Sequence, residues 1–224
     1  MKLKKGICSI AMLAGVALMS AHEAYADVTV VYKMTSADGN GTQTIQYVDK
    51  QHVRIDMTDA KNRKTSMMKL GDNVYAITGK TVQDVTQLSK MMASMGMGQK
   101  DQHNAHAQIK YEDTGKTETI AGIRGKVYRF VDKGKSHEVV LGKDKNLQEA
   151  ALGAAEIAKA ATGMMPSNST NRIQQDASIK SMALLRLDDL MHLESMNTTP
   201  VPDAVFILPA SPQKMEGIGE LMGR

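Results

Sequence analysis

The stretch MMASMGMGQKDQHNAH, residues 91 to 106, sets thioethers and imidazoles close together. Met91, Met92 and Met95 follow Leu88 at helical spacing, Met97 lies just beyond, and His103 and His106 stand three apart near Asp101. Thioethers are soft ligands that suit Cu(I) or Ag(I), so one reading is a metal-binding segment of Met91, Met92, Met95 and Met97, with His103 or His106. The same i, i+3, i+4, i+7 spacing marks any helix that faces a core, and methionine is common where an apolar surface must adapt to its neighbours. An isolated H-x-x-H, with no third ligand at a defined spacing, also reads as a solvated loop. The alternatives are a metal buffer and an oily helix followed by a polar connection.

Signatures of catalysis are absent. The chain has no G-x-S-x-G elbow and no H-E-x-x-H. His137-Glu138 and Asp188-Asp189 are adjacent pairs, which on a strand point to opposite faces. Gly-Lys recurs at 79, 115, 125, 134 and 142, but a phosphate loop needs a glycine five positions before each GK[ST], where Val74, Lys110 and Arg129 stand. These pairs read as hairpin turns. The expectation is a protein that is not an enzyme and carries no cofactor.

The compartment follows from the first residues. Lys2, Lys4 and Lys5 precede an apolar run from Ile7 to Met19, then small residues ending Ala24-Tyr25-Ala26. This is the pattern of a cleavable secretory signal, cut after Ala26 to give a periplasmic chain. Cys8, the one cysteine, lies within it and lacks the small-residue context of a lipoprotein cleavage box, so no disulfide or thiol nucleophile is expected after processing. Loss of Lys2, Lys4, Lys5 and Glu23 lowers the formal net charge from +4 to +2. With no aromatic interleaving of basic patches, no nucleic-acid partner is expected. No later apolar segment approaches the ~18 residues of a spanning helix.

Three regions are expected: a signal at 1–26, one domain at 27–210 and a mobile tail at 211–224. Nine short segments between Asp27 and Gly142 alternate at period two, from VTVVYKM through TQTIQYV, HVRIDM, TSMMKL, NVYAI, AQIKYE, TETIAG and KVYRFV to HEVVLG. They predict an antiparallel meander. Two helices interrupt it, one from Thr86 to Met95 stopped by Gly96 and Gly98, the other starting at Asn146 as its cap, with Glu149 reaching back. Leu147, Ala151, Ala154, Ala158, Ala161 and Met165 are expected on its inner face, with Gly163 and Pro166 ending it. MALLRLDDLMHLESM reads as two strands turning at Asp188-Asp189, and AVFIL as an edge strand between Pro202 and Pro209. With no Trp and two Phe, the core must be Val, Ile, Leu, Met and Tyr.

This layout, with VPDAVFILPA at its close and GDNVYAI similar to a D-G-x-x-L/V-Y strand, resembles the LolA and LolB-like lipoprotein-localisation group. KTETIAGIRGKVYRF is similar to an uncharacterised periplasmic domain family within it. The resemblance implies a mainly β (α+β) fold, a strongly curved antiparallel sheet or incomplete barrel with two helices over its concave face. It further implies a cavity able to hold acyl chains and, in Arg54 of HVRIDM, an early-strand arginine at the lid or mouth. The leading expectation is a non-enzymatic periplasmic protein that binds a lipid, acyl chain or lipoprotein moiety. Leu88, Met91, Met92, Met95, Ile157 and Met165 are its expected lining. Besides the Cu(I) or Ag(I) buffer, a structural adaptor with an envelope protein partner is the remaining alternative.

Overall fold

The computed structural model describes residues 27–94, 109–161, 179 and 181–213, with the backbone alone at 92 and 93. Among these residues eleven strands form one antiparallel sheet that does not close, with two helices over it. The strands are β1 (Val28–Ser36), β2 (Gly39–Asp49), β3 (His52–Thr58), β4 (Lys64–Leu70), β5 (Asn73–Thr78) and β6 (Thr81–Asp84). They continue with β7 (Glu112–Ile120), β8 (Ile123–Asp132), β9 (Lys135–Gly142), β10 (Ala183–Leu187) and β11 (Met191–Asn197). Their order is β6-β5-β4-β3-β2-β1-β11-β10-β9-β8-β7, so the chain's two meanders join where β1 pairs β11 and leave β6 and β7 as edges. This is the curved, incomplete barrel expected. Register shifts at Val31/Tyr32, Tyr47/Asp49, Leu184/Arg186 and Asp113/Thr117 help bend it, since a bulged strand kinks and twists more strongly.

Curvature brings distant strands within side-chain reach. Tyr32 of β1 spans β11 and donates a 2.8 Å hydrogen bond to the Leu184 carbonyl of β10, at a bulge where ladder pairing is interrupted. Its burial pushes the phenol well above its ordinary value, so it stays a neutral donor.

Alternation divides the residues of β3 to β5 between two cores. Val53, Ile55, Met67 and Val74 join the main core with Val28, Val30, Ile45, Tyr47 and Leu193. Met68 and Ile77, one position out of phase, form a second cluster with Val82 on the other face. Helix α1 (Val85–Ser94) and helix α2 (Lys145–Ala161) pack against each other on the main-core side.

Several local expectations shift. The AVFIL strand is instead a 3-10 helix, Asp203–Phe206, with the Val205 amide bonding the Pro202 carbonyl. Ile109 to Tyr111 of AQIKYE lie outside any strand, and β6 had no counterpart among the predicted segments. Of the five Gly-Lys pairs, those at 79 and 134 make hairpin turns. Lys133 and Gly134, at φ 50° and 77°, form the two-residue loop of β8–β9, where positive φ matches the strand twist. Gly115 marks the bulge of β7. Gly125 and Gly142 are cross-strand partners, and a Cβ on either would stand 2.8 Å from Leu185 Cδ1. They are glycine because Leu185, fully buried, packs over both.

Candidate functional site

The cover over the trough is built from α2. Asp144, two residues before the predicted Asn146, caps it by accepting the Leu147 amide at 2.9 Å. Its buried face is Leu147, Ala150, Gly153, Ile157 and Ala161, turned from the predicted stripe, of which Leu147 and Ala161 are fully buried and Ala154 packs partly buried on the main core. Asp144 sets the start, and glycine at 153 decides the rotation. A Cβ there would lie 2.9 Å from both Tyr47 Cδ2 and Val53 Cγ2, so the backbone of α2 rests directly on β2 and β3. Polar ties hold it in place: Tyr47 Oη bonds Glu149 Oε2 at 3.2 Å, and Lys69 of β4 bridges Glu156 and the Lys50 carbonyl. Helix α1 joins the cover through Ser89 Oγ, which donates to the Ala160 carbonyl at 3.0 Å, and Thr86 Oγ1, which accepts the Val74 amide at 2.8 Å.

The trough is therefore filled by its own side chains beneath α2. Ile157, one of the expected lining residues, is fully buried in the main core. Leu88 and Met91 lie half-buried on α1. Met95, Met97, His103, His106, Met165 and the side chain of Met92 lie outside the described residues.

Space opens at the far end. A concavity of about 640 Å³ lies between the tips of the β1–β2 and β3–β4 hairpins, open on one side and lined more by apolar than by polar surface. Met34 and Met57 extend the inward rows of Tyr32 and Ile55 by one period of two. Thr65, paired to Met57, and Thr78 share their face, and Asp38, Asp59, Lys61, Arg63 and Lys64 complete the edge. Glycine lets the two tips converge: a Cβ on Gly39 would lie 2.9 Å from Ala60 Cβ, and one on Gly41 would overlap the Thr58 carbonyl oxygen. Neither methionine was among the expected lining residues. The signal was available, since both end an alternating apolar run pointing into the trough.

Arg54 lies on the other face. Its neighbours Val53 and Ile55 point to α2, so Arg54 points away, where its Nε bonds Asp56 Oδ1 at 2.9 Å and its Nη1 donates to the Val205 carbonyl at 2.7 Å. It thereby holds the C-terminal segment, not a helical lid. Phe206 and Leu208 of that segment pack on Met68, Ile77 and Val82, and the Gln213 amide bonds the Val82 carbonyl at 2.8 Å. Gln213, within the tail predicted from Ser211, is thus paired to edge strand β6.

A polar cluster joins β7 to β10. Arg186 reaches Glu118 and Glu138 together. Asp188, at φ 43°, accepts the Glu138 amide on Oδ1 at 2.7 Å and places Oδ2 2.6 Å from His137 Nδ1. The adjacent pairs that sequence set on opposite faces thus meet through Asp188. Phe130 stacks on His137 at 5.1 Å, and this cluster fastens the β10–β11 turn to β9. Among the described residues no group of three His, Cys, Asp or Glu side chains is placed to hold a metal, and no helix is long and apolar enough to cross a membrane.

The described molecule is thus an open antiparallel half-barrel, sealed beneath its helices and hollow at one end. No family model matches the chain, and no curated protein does. Among solved structures it is similar to the LolA superfamily protein NE2245 from Nitrosomonas europaea, with 12% identity over 82% of this chain and 90% of that one, at a TM-score of 0.29. That protein belongs to the group the sequence resembles. Two crystal forms of PNGF-II are also similar, at 9% and 10% identity over 84% and 85% of this chain, both at a TM-score of 0.32. This chain spans 31% of the length of PNGF-II. None of these likenesses carries a ligand or an activity to this chain.

Proposed function

We propose that this chain is an exported, non-enzymatic envelope protein that holds an apolar ligand, such as a lipid or acyl chain, in its half-barrel. The observation that carries the reading is the hollow of about 640 Å³ at the hairpin end of the trough. That volume falls within the ~300–1,000 Å³ of sites that take one small ligand. Methionine suits its floor, because an unbranched and flexible side chain can fill an empty space or yield to a guest. Close packing of Gly153 beneath α2 argues for this end as the entry.

Displacement of a fluorescent fatty acid, with native mass spectrometry of the gently purified chain, tests the reading. Saturable binding that Met57→Trp abolishes by filling the hollow is the expected result. A chain that retains no lipid and ignores the probe would refute it.

A further inference from the structure

The rim of the hollow is cationic in a particular way. Arg63 and Asp59 neutralise each other, Nε to Oδ2 at 2.6 Å, and Asp59 Oδ1 also accepts the amides of Lys61 and Arg63, each at 2.9 Å. The Arg63 amide above all, then its guanidinium and the Lys61 amide, hold the Asp59 carboxyl below its usual range, so it remains an anion committed to its own turn. Lys61 and Lys64 are exposed and have no acidic partner among the described residues. Asp38 on the facing tip is the remaining acid at the edge, which leaves three cations against two anions. Met34 and Met57 lie within the same hollow, with Thr65 directly opposite Met57 on β4.

Unpaired cations at the edge of a hollow that holds two methionines match the two ends of an amphiphile. We propose that the hollow takes a single-chain amphiphile with an anionic headgroup, its tail against Met34 and Met57 and its head beside Lys61 and Lys64. This rests on the apolar-ligand reading above and adds the class of ligand. A lysine ammonium acts on a phosphate or carboxylate as a point charge, without demanding one headgroup geometry. The shared chemistry is therefore an oxyanion on one acyl chain. Because the lysines are exposed, their contribution is screened by salt.

Binding of palmitate, palmitoyl-lysophosphatidylglycerol, palmitoyl-lysophosphatidylcholine and inorganic phosphate to the full chain separates the possibilities. The two anionic amphiphiles should bind on the order of tenfold tighter than the zwitterionic one, and the preference should shrink as salt rises. Lys61→Glu with Lys64→Glu should erase that preference, the folded state being checked by circular dichroism. Equal affinity of the wild-type chain for all three amphiphiles would overturn this proposal and leave the apolar-ligand reading standing. Phosphate binding as tightly as the lysolipids would overturn it too, by making the tail irrelevant. If no amphiphile binds, the apolar-ligand reading falls with it.

Discussion

Replacing Gly153 by valine tests whether α2 is seated on the sheet or spans a void. The wild-type backbone leaves a Cβ only 2.9 Å from Tyr47 Cδ2 and from Val53 Cγ2. Val53 is fully buried and stiff at χ1, and Tyr47 is pinned at its hydroxyl by Glu149, so neither side chain has an easy alternative position. Overpacking a close-packed interior costs about 1–3 kcal/mol, and valine's three side-chain carbons place this site toward the upper end. Against that, valine gains a few tenths of a kcal/mol over glycine in helix propensity. The net is a loss of about 2 kcal/mol, or roughly 4–8 °C in Tm for a domain of this size. Gly153→Ala, which adds one methyl and gains about 1 kcal/mol of propensity, should stay within ~1 kcal/mol of wild type. Urea unfolding followed by far-ultraviolet circular dichroism measures all three chains. If Gly153→Val proves as stable as wild type, space exists beneath α2 and the hairpin-end hollow is no longer the obvious home for a ligand.

Two further outcomes follow from the outer face and the hairpin tip. Arg54→Ala removes a charge-assisted bond to the Val205 carbonyl and should destabilise the fold by about 1.5–3 kcal/mol. Hydrogen exchange should quicken first at the Val205, Ile207 and Gln213 amides and leave β8–β9 unchanged; a uniform loss of protection would refute the latch. Asp59, whose folded pKa is depressed, stabilises the β3–β4 tip above its unfolded value of about 3.9, and the tip loses that support as pH falls through the folded value. An NMR titration of the Lys61 and Arg63 amides should show a midpoint below about 3.9, and a midpoint at or above it would contradict the turn geometry.

Period two made most of the sheet legible. The runs HVRIDM and TSMMKL announce β3 and β4, and MALLRLDDLMHLESM resolves into β10 and β11 because Ala183, Leu185 and Leu187 alternate. Alternation could not say which core each face enters. Met67 and Met68 are the same residue type in adjacent positions, yet one meets the main core and the other the C-terminal segment. That assignment depends on residues 201–213 folding back across the sheet, a long-range event with no local signature. AVFIL has the composition of a strand, but Val205 surrenders its carbonyl to Arg54 and its amide to Pro202, so no ladder forms. Gly125 and Gly142 looked like turns for a similar reason: glycine marks both positive φ and close approach, and only Leu185 tells them apart.

The cover over part of each face bears on where the proposed ligand would enter. On the main-core side α2 is locked to β2 and β3 through Gly153 and tied by Lys69 and Glu156, so admitting a guest there would mean lifting a helix off close-packed residues. Across β3 to β6 the other side is occupied by Phe206 and Leu208 under the Arg54 latch. The β1–β2 and β3–β4 hairpins bound a hollow outside both covers, where Gly39 and Gly41 draw their tips together. A guest entering there displaces water from Met34 and Met57 without breaking the polar ties that hold either cover. For the proposed ligand, entry along the strands from the hairpin end would disturb the fewest contacts among the described residues.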